Sequence, residues 1–137
     1  MVTVRVRNIR SGEQGVYIGR RIKDLPRSPL ANDERMGDES RRAKVIRMYH
    51  AWLWEKMQAN DQAVMDELHR LLDLARRPEG VKLLCWCYPK ACHGDVIAKA
   101  LAWLDKQEQV RDGWLRKQGW QIVSEYRICQ TTARGWQ

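Results

Sequence analysis

The segment Cys85-Trp86-Cys87-Tyr88-Pro89-Lys90-Ala91-Cys92-His93-Gly94-Asp95 constrains this chain more than any other, because it gathers three thiols and an imidazole into one break between two regular elements. Ahead of it, Val81-Lys82-Leu83-Leu84 opens an apolar run through Cys87 of the kind a buried central strand shows. Behind it, Val96, Ile97, Ala100, Leu101 and Leu104 recur at helical spacing. The unit is therefore strand, loop, helix. Residues i and i+2 of a strand face one way, so Cys85 and Cys87 start on the same side, and Cys92 and His93 join them if the chain doubles back after Pro89. In open α/β sheets, ligands bind at the carboxyl ends of strands, which is where this segment falls.

Three of the 4 cysteines cluster here, with Cys129 apart in a polar tail where it reads as a bystander. A disulfide framework scatters its cysteines; in a reducing compartment a cluster points to metal or redox chemistry. Three thiolates with His93 match a tetrahedral zinc set, and three thiolates alone can hold an iron–sulfur cluster with one iron open. The spacing is not that of paired C-x2-C motifs, and the adjacent Cys92 and His93 diverge as joint ligands of one ion. Two other readings stand beside these. Cys85 and Cys87 can be small buried hydrophobes of a core strand, or Cys92, near a helix start and beside Lys90, can be an activated thiol with His93 as its base. Gly94 and Asp95 open the following helix, whose free N–H groups form an anion site. Asp95 reads first as a cap and second, with His93, as a catalytic candidate.

At 137 residues the chain is sized for one domain, and 44% hydrophobic with 31% charged residues is a globular composition. No apolar run approaches about 20 residues and no charged-then-apolar leader opens it, so the expectation is a cytoplasmic protein without a membrane span. The net charge of +8 is uneven: residues 1–50 carry 12 basic and 6 acidic side chains, and residues 51–137 carry 13 and 11. A basic surface of this kind suits a phosphate-bearing partner and also serves solubility.

Val2, Val4 and Val6 alternate with polar residues as a half-buried strand does, and Gly15 to Gly19 reads as a second short strand. Residues 20–38, with Pro26, Pro29, Asn32 and Gly37, form a long loop of the functional sort. Ser40 is placed to cap a helix carrying Val45, Tyr49, Leu53 and Met57 on one stripe; Asn60 or Asp61 can start a second with Val64, Leu68, Leu71 and Ala75. Gly119 can end the last helical stretch, and Trp120–Tyr126 reads as a final strand. The order, roughly ββααβαβ, predicts a single small α/β domain with a mixed, Rossmann-like sheet and helices packed on it. His50 and His69, beside core positions of amphipathic helices, read as structural. Among the 7 tryptophans, Trp52, Trp54 and Trp103 lie on helices, while Trp114, Trp120 and Trp136 sit among basic residues where they can stack bases or cover an edge.

Tyr17-Ile18-Gly19-Arg20, Ser28-Pro29-Leu30 with Asn32, the basic helix with Tyr49, and Cys85-x-Cys87-x-Pro89-x-x-Cys92-His93-Gly94-Asp95 together resemble the phage and prokaryotic family called domain of unknown function 4326. The resemblance covers about residues 2–105, giving a family α/β domain over 1–105 and a helix and strand extension over 106–137 packed on it. It implies that Gly19, Arg20, Asn32 and the Cys/His segment form one site, with Arg20 as a phosphate or carboxylate fork. Where members usually read Asn-Pro-aromatic, this chain has Asn32-Asp33-Glu34.

Three functional readings follow, and they leave open whether the protein is an enzyme. The first is a cytoplasmic, phage-encoded metal or iron–sulfur protein acting on or binding a nucleotide or nucleic acid, with Cys85, Cys87, Cys92 and His93 as ligands and Gly19, Arg20, Asn32, Arg41, Arg42 and Gly94 on phosphate. The second is a non-enzymatic module with structural zinc that binds nucleic acid or a host protein. The third is a metal-free α/β enzyme whose nucleophile is Cys92.

Overall fold

The computed structural model describes residues 2–35 and 37–119. Three strands, β1 (Val4–Asn8), β2 (Val16–Tyr17) and β3 (Val81–Cys85), and three helices, α1 (Arg42–Gln58), α2 (Gln62–Arg76) and α3 (His93–Lys117), form an α/β domain. The expected final strand Trp120–Tyr126, and with it Cys129, Trp120 and Trp136, lies outside the described residues.

The sheet runs β1-β3-β2 and all its pairings are parallel, so the expectation of a mixed sheet is corrected for the described strands. Register explains how β1 and β2 share a direction despite their short connection. Asn8 pairs with Cys85, and Val16 pairs with Leu83, so residues 9–15 return only two positions, about 7 Å, before the chain re-enters the sheet on the other side of β3. The crossover from β2 to β3 is long and carries α1 and α2, as parallel pairing requires. β3 is the central strand, which accounts for its unbroken apolar run: Val81, Leu83, Leu84 and Cys85 are all buried. Gly80 sets its entry, with φ +69° and the Thr3 carbonyl 2.6 Å from where a Cβ would lie.

The helices follow their apolar stripes. Val45, Tyr49, Leu53 and Met57 are the buried residues of α1. Asp61, not Asn60, caps α2, its side chain accepting the Val64 N–H at 3.1 Å. Asp38 rather than Ser40 begins the first helical segment: it accepts the Ser40 N–H and caps a 3-10 turn, Glu39–Arg41, from which α1 continues. Residues 20–38 are a loop but not a loose one. Ser28, Leu30 and Ala31 are buried, Ser28 N–H donates to the Gly19 carbonyl at 3.0 Å, and the Tyr49 hydroxyl donates to the Leu30 carbonyl at 2.6 Å. Among the described residues no helix is long and apolar enough to cross a membrane. α3 runs unbroken through position 105.

Candidate functional site

Where β2 and β3 end and α3 begins, a cavity of about 430 Å³ opens between the sheet, the 19–35 loop and α1. β3 stops at Cys85 and the chain turns through Trp86–Ala91, with the Tyr88–Pro89 peptide cis, before Cys92 caps α3. The cap is reciprocal: Gly94 N–H donates to Cys92 Sγ at 3.3 Å, and Cys92 N–H donates to Asp95 Oδ2 at 3.0 Å. Asp95 is thus engaged as a capping residue.

The fold brings Cys85 and Cys92 together, with their sulfurs 3.3 Å apart and both side chains buried. At that separation the Cys92 thiol donates a hydrogen bond to Cys85. The two titrate as a pair. Cys85 is pulled down to about 6, first by the hydrogen bond from Cys92 and then, against burial, by the Tyr88 and Cys87 backbone N–H groups. Cys92 is pushed up by the same contact and by burial. Cys87 borders the same cavity, and its thiol helps to hold the charge of the Arg42 guanidinium. Among the described residues, no group of three or more His, Cys, Asp or Glu side chains is disposed to hold a metal ion.

His93 borders the cavity as the first residue of α3. Its Nε2 lies 2.7 Å from the Ile18 carbonyl and must donate to it, which leaves Nδ1 as the acceptor of the neutral ring. Burial lowers its pKa, the Ile18 contact opposes that, and the charge of Arg20 lowers it further. Tyr49 stands edge-on to the imidazole at 5.0 Å between centroids, and burial raises its own pKa well above the ordinary value.

Of the residues expected on phosphate, Gly19, Arg20 and Asn32 border the cavity. Gly19 leaves room for the Tyr17 ring. Asn32 spends its side-chain oxygen on the Glu34 N–H at 3.1 Å, shaping the loop at Asp33-Glu34. Arg41 is exposed and Arg42 is committed elsewhere; neither borders the cavity. Glu39 takes the Arg42 fork at 2.7 and 2.8 Å, and Arg42 Nη1 donates to the Ala91 carbonyl at 2.6 Å, clamping the loop before α3. Glu39 also keeps Arg42 charged well above its ordinary range. Gly94 is a packing position, since a Cβ there would meet Ile18 Cδ1 and Val6 Cγ1 at 3.1 Å.

Sequence reasoning overlooked Arg21, Arg35, Tyr17 and Trp86, all of which border the cavity. Arg21 was signalled by its neighbour Arg20, and Arg35 by its place in the same loop as Asn32. Arg20, Arg21 and Arg35 are exposed, and none makes an ion pair among the described residues. The Tyr17 hydroxyl donates to the Arg20 carbonyl at 2.6 Å and accepts from Trp86 Nε1 at 3.2 Å, tying the loop's first residues to the β3–α3 turn. Opposite them the wall is apolar, made by Val45 and Ile46 of α1.

No curated protein and no solved structure matches the chain. The family comparison does reach the strands, the loop and the thiol segment that build this cavity: a family model matches residues 2–103, and the chain belongs to the family described as Domain of unknown function (DUF4326).

Proposed function

We propose that the protein binds a nucleotide in this cavity, with its phosphate on Arg20, Arg21 and Arg35 and its base or sugar toward Val45, Ile46 and the thiols. The observation that carries the reading is that three exposed arginines, none in an ion pair among the described residues, line one partly apolar cavity in which Glu34 is the acidic side chain, at the carboxyl ends of parallel strands. Arginine forks match phosphate oxygens in pairs, and the overall charge of +8 draws an anionic ligand toward them.

Calorimetric titration with thymidine 5′-monophosphate tests it. Arg20→Ala or Arg35→Ala should lower affinity by about tenfold, the worth of one charged hydrogen-bonding contact. Binding of thymidine as tight as that of its monophosphate would defeat the phosphate assignment.

A second reading is favoured by the 3.3 Å thiol pair: the bound ligand meets Cys85 as a thiolate, and the chemistry is nucleophilic. This moves the nucleophile from Cys92, whose sulfur caps α3, to Cys85. A reducing cytoplasmic setting would keep the pair as thiols. Zinc or an iron–sulfur cluster on Cys85, Cys87 and Cys92 is the competing proposal, and it requires the three thiols to draw together at the cavity they border. Anaerobic purification with an absorption spectrum and analysis for iron, zinc and sulfide separates the two.

A further inference from the structure

Beside the cavity mouth, the turn that follows β3 presents two aromatic rings to solvent. Trp86 is 45% exposed and Tyr88 38% exposed, although large aromatic side chains usually go to the core or to an interface. Each carries a guanidinium on its ring: Arg10 lies 5.3 Å from the Trp86 centroid and Arg7 lies 5.4 Å from that of Tyr88. The platform is held in place. Asn8 Nδ2 donates to the Trp86 carbonyl at 3.2 Å and to the Tyr88 carbonyl at 2.9 Å, while Trp86 Nε1 donates to Tyr17. Trp86 also borders the cavity, so the platform and the arginine-lined pocket are continuous.

From this continuity we propose that the ligand is the end of a single-stranded nucleic acid: the terminal nucleotide occupies the cavity and the following bases stack on Trp86 and Tyr88. This rests on the reading of the cavity as a nucleotide site. About 430 Å³ lies at the small end of ligand pockets, room for one nucleotide unit and not for a chain of them. Outside it, flat rings paired with cations are what successive bases and phosphates require. A duplex keeps its bases stacked on one another and offers no such faces. Charge complementarity points the same way, since Arg10 makes no ion pair among the described residues and stands on the basic first third of the chain, while Arg7 shares its charge with Glu13 at 3.5 Å.

The test uses the full chain at low ionic strength, with 5′-phosphorylated hexathymidylate, a 5′-phosphorylated G·C-rich hairpin duplex long enough to stay paired at that salt, and thymidine 5′-monophosphate as probes. The single strand should bind more tightly than the mononucleotide and the duplex. Tyr88→Leu should weaken the strand by about fivefold or more and leave the mononucleotide unchanged, and Tyr88→Phe should restore strand binding because the flat ring is kept. Mononucleotide binding by Tyr88→Leu also reports that the variant is folded. If the mononucleotide binds but the strand binds no more tightly, if Tyr88→Leu leaves the strand unaffected, or if the duplex binds equally well, the inference falls and the nucleotide site stands. If neither probe binds, both fall together.

Discussion

The two ends of the molecule treat arginine in opposite ways. Between α2 and α3, Arg76 reaches across to Asp105 at 2.9 Å and to Glu108 at 2.7 Å, and both acids are more than nine-tenths buried. At the cavity, Arg20, Arg21 and Arg35 lie exposed in one loop and make no ion pair among the described residues, with Glu34 bordering the same space at a greater distance than a salt bridge. A charge matched inside the fold contributes to stability; a charge left unmatched at a cavity is available to a ligand. Arg42 belongs with the first group despite its place near the site, because Glu39 and the Ala91 carbonyl occupy its donors.

Removing Arg76 is the sharpest way to break this contrast. Arg76→Ala leaves two buried carboxylates without their cation and should cost about 3 kcal/mol, near the low end for a broken buried pair because the Arg76 side chain is itself 34% exposed. Arg20→Ala should change stability by less than about 0.5 kcal/mol, as exposed substitutions do. Urea unfolding of the two variants checks both. Equal losses would show that the cavity arginines are structural after all.

Gly94→Ala ranks next, at about 1–2 kcal/mol. An added Cβ there meets Ile18 and Val6 at 3.1 Å and Cys92 Sγ at 3.2 Å, with β1 on one side and the thiol on the other. A variant of unchanged midpoint would mean that α3 can shift away from the sheet, and that the thiol separation is looser than 3.3 Å implies.

These packing constraints also mark where the sequence was readable. Elements with a strong period were legible: the α1 stripe, the α2 stripe opening at Asn60 or Asp61, and β3 as a buried strand all follow from spacing and composition, while the choice of Asp61 as cap came from the structure. The thiol segment was legible as a site because its residues fall between a strand and a helix. What spacing could not show is which partner each side chain takes. The i, i+2 argument put Cys85 with Cys87 and expected Cys92 to join them; β3 ends at Cys85, so the alternation stops there, all three border one cavity, and Cys92 is the thiol that bonds Cys85. Arg42 was chosen for phosphate on charge alone, and Glu39, three residues before it, holds its fork. Sheet direction was equally out of reach, since it depends on how far residues 9–15 carry the chain back.

The thiol pair gives the next prediction. With Cys85 near 6, its alkylation by iodoacetamide should be nearly constant in rate from neutral to mildly alkaline pH and should fall as pH drops through about 6. Cys92→Ala removes the donor that contributes most to that depression, so the rate should become dependent on pH above neutrality. Mass mapping of the modified thiol checks the assignment; modification of Cys92 in preference to Cys85 would reverse the roles within the pair.

The smallest expected effect concerns protons at His93 and His69. Burial depresses both imidazoles below 6.5, and each stays neutral in the fold. As pH falls below 6.5, the unfolded chain takes up these protons before the folded one, so the histidine contribution to stability is complete above 6.5 and declines toward the lower folded values. His93→Gln should flatten part of that decline below pH 6.5, since an amide nitrogen can donate to the Ile18 carbonyl without titrating. Carboxylates held low, such as Glu13 beside Lys82, contribute at lower pH and are common to both proteins, so the difference between the two melting curves isolates the imidazole. Bound nucleotide should act on the same proton: Arg20 helps to hold His93 neutral, and a phosphate that neutralises Arg20 should raise the His93 pKa. An NMR titration of its ring protons with and without thymidine 5′-monophosphate reads that shift directly. A shift downward, or none, would separate His93 from the cavity's electrostatics.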